Sequence, residues 1–175
     1  MRSSIAKLDN AKGSRQNMSI RIIGLGNTIL RDDGVGIYAV REVSRLLAES
    51  GRSAMADVVE SEVGGFELME LMAGWEQVIL ADSVQFDALE AGAVIRIEPE
   101  DLHTSLRLRS VHEIDLPTVL ELGRRLGLAM PRKITIFGIQ AKDPLTFGES
   151  MTAVVQDGMR KLVVQILNEI MPTGI

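Results

Sequence analysis

Gly24-Leu25-Gly26-Asn27, followed by Asp32-Asp33-Gly34-Val35-Gly36, is the stretch that decides the fold. It places two carboxylates in a glycine-rich turn directly after Ile20, Ile22 and Ile23, an apolar run that reads as a short buried strand. Downstream, Ile37, Val40, Leu46 and Leu47 recur near helical spacing, which predicts a helix over about 33–47. The motif therefore sits on a strand-loop-helix joint.

Outward from this joint the pattern alternates. Residues 57–63 read as a second strand, less apolar and so nearer an edge, broken by Gly64-Gly65. Phe66, Leu68, Met69, Leu71 and Met72 suggest a short helix ending at Gly74. Gln77-Val78-Ile79-Leu80-Ala81 is apolar without alternation, as in a strand buried on both faces, and it delivers Asp82 at its carboxyl end. A further strand over 93–97 is stopped by Pro99, and 100–110 is charged and irregular. Pro117 suits the first turn of a helix capped by Asp115 and running to Gly127. Residues 133–139 form a last strand rich in β-branched residues. A closing helix over 152–170 turns Val155, Met159, Leu162, Val163, Ile166 and Leu167 inward.

Strands alternating with helices predict an α/β fold, a three-layer αβα sandwich around a mainly parallel twisted sheet of about five strands. Such sheets bind ligands outside the carboxyl ends of their strands, where the strand order reverses. In a flavodoxin-like order the first and third strands are neighbours at that point. Asp33 and Asp82, far apart in sequence, would then face one crevice.

Composition narrows the function. A chain of 175 residues is read as one domain over 18–172, preceded by a polar, aperiodic leader, 1–17, that is expected to be disordered. Met18, just before the first strand, is an alternative start to Met1. The absence of Cys removes disulfides, thiolate-zinc sites and a cysteine nucleophile. A net charge of −5 and 3% aromatic residues disfavour a nucleic-acid partner. No apolar run approaches membrane-spanning length and the amino terminus lacks a signal-peptide core, so a cytoplasmic protein with no membrane partner is expected.

Two carboxylates in one crevice repel unless a proton, a basic side chain or a metal ion compensates. The chain has two histidines, His103 and His112. His112, in Ser110-Val111-His112-Glu113 after the fourth strand, would complete a two-carboxylate, one-imidazole set suited to a divalent transition metal. Each residue also has a plainer reading. Asp32 and Asp33 could cap the following helix, Asp82 could be a strand-end turn residue, and His112 an ordinary loop histidine. His103 has no context that singles it out. A dinucleotide fingerprint fails because Ile29 stands where a third glycine is needed, and no phosphate-loop Gly-Lys-Ser/Thr follows. Ser83, beside Asp82, lacks the Gly-x-Ser-x-Gly elbow of a nucleophile.

Taken together, Gly24-Leu25-Gly26-Asn27, Asp32-Asp33-Gly34-Val35-Gly36, Ile79-Leu80-Ala81-Asp82, Ser110-Val111-His112 and Phe137-Gly138-Ile139-Gln140 resemble the hydrogenase maturation endopeptidases. The resemblance runs in order over about 18–170. It implies a phosphorylase/hydrolase-like sandwich and a metal-dependent, aspartic-type endopeptidase. Its substrate would be the large-subunit precursor of nickel-iron hydrogenase, from which it removes a carboxyl-terminal extension after nickel insertion. It implies Asp33, Asp82 and His112 as both the catalytic residues and the metal ligands, with nickel carried by the substrate and other divalent cations able to occupy the site. A monomer is expected.

One segment departs from the family pattern. Where an Asp-Gly-Gly-Thr-type run is common, this chain has Glu60-Ser61-Glu62-Val63-Gly64, which exchanges flexible glycines for side chains and adds acid. This motivates an alternative, a non-cleaving protein of the same fold that docks the metal during maturation. The glycine-asparagine motif also resembles peptidyl-tRNA hydrolase, but that family expects a histidine soon afterwards and a basic groove.

Overall fold

The structure, a computed structural model, describes residues 19–62, 65–98 and 116–171. The expected leader lies outside the described residues, as do His103, His112 and the proposed cap Asp115.

Strand β1 (Ile20–Leu25) pairs in parallel with β2 (Asp57–Ser61) on one side and β3 (Gln77–Val84) on the other. Strand β5 (Lys133–Gln140) continues the parallel sheet beside β3, and β4 (Val94–Ile97) closes it antiparallel to β5. The order is β2-β1-β3-β5-β4. From β1 the chain moves outward to β2 and then returns to the opposite side of β1, so the order reverses between β1 and β3. As expected from its weaker apolarity, β2 is an edge strand.

Neighbouring residues of a strand face opposite sides of the sheet, which is why residues 78–81 of β3, covered on both faces, read as an unbroken apolar run. Ile22, Ile79 and Ala81 pack with Phe137 and Ile139 under α1 (Val35–Glu49) and α4 (Ala153–Ile170). Ile23, Val78, Leu80, Ile134 and Ile136 pack on the other face under α2 (Gly65–Met72) and α3 (Leu116–Arg125). The result is the three-layer αβα sandwich. Each fully buried Leu or Ile in these layers contributes about 1.5–3 kcal/mol.

Two of the boundaries that differ from the sequence reading bear on the site. The first helix begins at Val35, because Asp32 and Asp33 stay in the loop with their carboxylates bonded elsewhere. Strand β3 runs on to Val84, pairing Asp82 with Gly138 and Ser83 with Ile139, so Asp82 lies within the strand. The reversed direction of β4 also has a cause. No helix separates it from β3, and a parallel return needs a long crossover.

Candidate active site

The glycines of the opening motif let backbone approach backbone. A Cβ on Gly24 would lie 2.4 Å from Val40 Cγ2 and 2.6 Å from the Gly36 carbonyl oxygen. One on Gly36 would lie 2.3 Å from the carbonyl oxygens of both Ala81 and Leu25. Gly26, at φ 141°, has the Asp33 carbonyl oxygen where its Cβ would stand. The amino end of α1 is thereby pressed against the carboxyl ends of β1 and β3. Asn27 closes the loop: its side-chain Oδ1 accepts the Ile29 N–H at 3.1 Å and its carbonyl accepts the Leu30 N–H at 3.1 Å.

This packing brings Asp33 to β3. Asp33 is fully buried. Its Oδ2 accepts the Asn27 N–H at 2.9 Å, and its Oδ1 accepts the Ser83 hydroxyl at 3.0 Å. Asp82 is also buried, and its Oδ1 accepts the Ser83 N–H at 2.8 Å. Strand alternation puts Ser83 on the face of Ile79 and Ala81, toward α1, and Asp82 on the face of Val78 and Leu80, toward α2 and α3. The two carboxylates thus lie beside the carboxyl ends of β1 and β3, toward opposite faces of the sheet, and are tied through one serine.

Asp32, equally buried, does something else. Its Oδ2 accepts the N–H groups of Lys142 and Asp143 at 3.0 and 2.7 Å and the Thr152 hydroxyl at 3.0 Å; its Oδ1 accepts the Thr152 N–H at 2.7 Å. Helix capping is therefore not its task, and the amino end of α1 has no side-chain cap bond. Instead Asp32 staples the loop after β5 to the site. Around it, Arg31 bonds Asp143 Oδ2 at 3.1 Å and the Ser150 carbonyl at 3.2 Å, while Leu30 and Phe147 form an antiparallel bridge. The Thr146 hydroxyl and N–H, together with the Arg31 guanidinium, hold the Asp143 carboxyl below its usual range against the opposing effect of desolvation. Ile29, Leu145 and Phe147 project from this braced platform into solvent.

Among the described residues no three His, Cys, Asp or Glu side chains group as a metal centre. Of the three expected ligands, Asp33 and Asp82 are each bonded to Ser83, and the third, His112, falls outside the described residues. The sequence reading missed the bond from Ser83 to Asp33. Its one visible trace is a polar residue at a position that continues the Ile79 and Ala81 face of a buried strand. It also missed Gln140, whose Oε1 accepts the Phe86 N–H at 2.8 Å and fixes the exit from β3.

An α/β sandwich with acids at its switch point defines a class of site, and comparison identifies the family. The family model for hydrogenase maturation protease, HycI, matches residues 37–169. The chain belongs to the hydrogenase maturation protease family. That match begins after Asp33 and includes Asp82 and position 112. The chain is 26% identical over 162 residues to the hydrogenase 2 maturation protease of Escherichia coli strain K12, covering 90% of this chain and 94% of that one. It is 25% identical over 149 residues to the hydrogenase expression/formation protein HupD of Bradyrhizobium diazoefficiens, covering 82% and 73%. Among solved structures, the [NiFe] hydrogenase maturation protease HybD of Thermococcus kodakarensis superposes with a TM-score of 0.64 at 29% identity, covering 86% and 97%. The maturating endopeptidase HybD of E. coli shares the fold with a TM-score of 0.70 at 21% identity, covering 89% and 93%. The likeness to peptidyl-tRNA hydrolase is thereby set aside.

Proposed function

We propose that this protein is the endopeptidase that removes the carboxyl-terminal extension of a nickel-iron hydrogenase large-subunit precursor. Asp33, Asp82 and His112 would recognise the nickel already carried by that substrate. The observation that supports this reading is that buried Asp33, in the loop after β1, and buried Asp82, near the end of β3, are linked through Ser83 where the strand order reverses. Their chemistry fits a cation: two buried carboxylates in one cleft supply anionic oxygens and are best stabilised when a positive charge lies between them. Helix α3 covers the face toward which Asp82 points.

The chain's own residues orient and present. Asn27 N–H and the Ser83 hydroxyl hold the two Asp33 oxygens, and Asp32 fixes the adjoining platform. The exposed Ile29, Leu145 and Phe147 offer apolar surface to a polypeptide entering beside the acids. Bound substrate nickel would polarise the scissile carbonyl or activate water. The protein acts as a cytoplasmic monomer without a membrane or nucleic-acid partner. Among the described residues no helix is long and apolar enough to cross a membrane.

The test is incubation with nickel-loaded precursor, followed by mass spectrometry. Loss of the carboxyl-terminal extension, absent with nickel-free precursor, is the expected result. Stable binding without any mass loss would favour the non-cleaving docking protein instead, and neither binding nor cleavage by folded protein would remove both readings.

A further inference from the structure

We propose that Ser83 is a positioning residue that sets the spacing of the carboxylate pair. It donates to both acids at once, by its backbone N–H to Asp82 Oδ1 at 2.8 Å and by its hydroxyl to Asp33 Oδ1 at 3.0 Å. The proposal rests on the metal-recognition reading of those two acids.

The argument is geometric. Asp33 is held by two donors on opposite oxygens, Asn27 N–H on Oδ2 and Ser83 Oγ–H on Oδ1, which together fix the plane of its carboxylate. Removing the hydroxyl takes away the donor on Oδ1 and loosens that side of the carboxylate. The Ser83 N–H contact depends on backbone alone and survives any side-chain change, so Asp82 stays in place while Asp33 is loosened. Ser83 is 2% exposed and directed into Asp33, hence sheltered from a substrate and not presented as a nucleophile. Taking a donor away from a buried acceptor costs more than the same loss at the surface. Partners of this kind, one bond behind a ligand, typically govern metal affinity or activity by about 10–100-fold.

Ser83→Ala and Ser83→Thr separate positioning from folding. Three quantities are read for each: kcat/KM on nickel-loaded precursor, affinity of the isolated protein for nickel(II) by calorimetry, and Tm. The alanine variant is expected to lose about tenfold or more in both kcat/KM and nickel affinity with Tm nearly unchanged. The threonine variant, which keeps the hydroxyl, should restore both. Wild-type activity and wild-type nickel affinity in Ser83→Ala would overturn the proposal, as would losses that merely follow a fallen Tm. Should the wild-type chain itself neither cleave the precursor nor hold nickel, the metal-recognition reading fails and this inference falls with it. A defect confined to Ser83→Ala and rescued by threonine is reached only if both stand.

Discussion

Gly36 lies against Ala81 so closely that a Cβ on the glycine would stand 2.3 Å from the alanine's carbonyl oxygen. The same Cβ would meet Leu25 O at the same distance, so backbone blocks it on both sides and no flexible side chain can give way. This contact sets how far α1 stands from β3, and with it how far Asp33 stands from Asp82. Gly36→Ala must push the helix outward. The expected cost is about 3 kcal/mol, or roughly 6–12 °C in Tm for a chain of this size. Precursor cleavage should fall further than the lost stability explains, because the acids are spread apart. A variant with unchanged Tm and activity would show that the helix is not seated as described.

Asp32 joins two regions more than a hundred residues apart through four accepted hydrogen bonds. Asp32→Ala leaves the N–H groups of Lys142, Asp143 and Thr152 without this acceptor, and the expected destabilisation is about 3 kcal/mol by chemical denaturation. Amide hydrogen exchange should accelerate at those three positions before it does in β3. Asp32→Asn should recover only part of the loss, since its amide nitrogen meets donors. Unaltered exchange at all three amides would contradict the stapling role.

Glu169 provides the pH test. Burial raises its pKa, but the Lys133 ammonium at 2.6 Å, the Arg96 guanidinium and the Thr135 hydroxyl together outweigh burial and hold the carboxyl below its ordinary value. A carboxyl lowered in the folded state adds stability that is complete above the unfolded glutamate pKa of about 4.3 and is lost as pH falls through the folded value. Glu169→Gln should therefore unfold more easily than the wild type at neutral pH, with the difference closing under acid. A gap that stays constant from pH 7 to pH 3 would rule this linkage out.

Much of this architecture was legible because its cause is local. Val78-Ile79-Leu80-Ala81 admits no alternation, so β3 had to be central, and the glycines around Asn27 marked the tight return into α1. What stayed hidden depends on partners remote in sequence. Asp32 and Asp33 are chemically identical neighbours, yet one reaches to Thr152 and the other to Ser83, and nothing within the loop distinguishes them. Arg21 interrupts an otherwise apolar strand, and its reason appears only in three dimensions. It bonds Asp57 on β2 and the Leu71 carbonyl, and lies 4.3 Å from the centre of the Trp75 ring. The reversed β4 was equally unreadable, since a strand of four residues carries no mark of its direction.

The central claim is that side chains from separate strand ends act together on the metal borne by the precursor. Its most direct measurement is mass-spectrometric cleavage of nickel-loaded large-subunit precursor by Asp33→Ala, Asp82→Ala and His112→Ala, each first shown to be folded by circular dichroism. The account predicts that the wild-type chain removes the extension and that each variant leaves it intact. Full processing by any one of the three folded variants would contradict it.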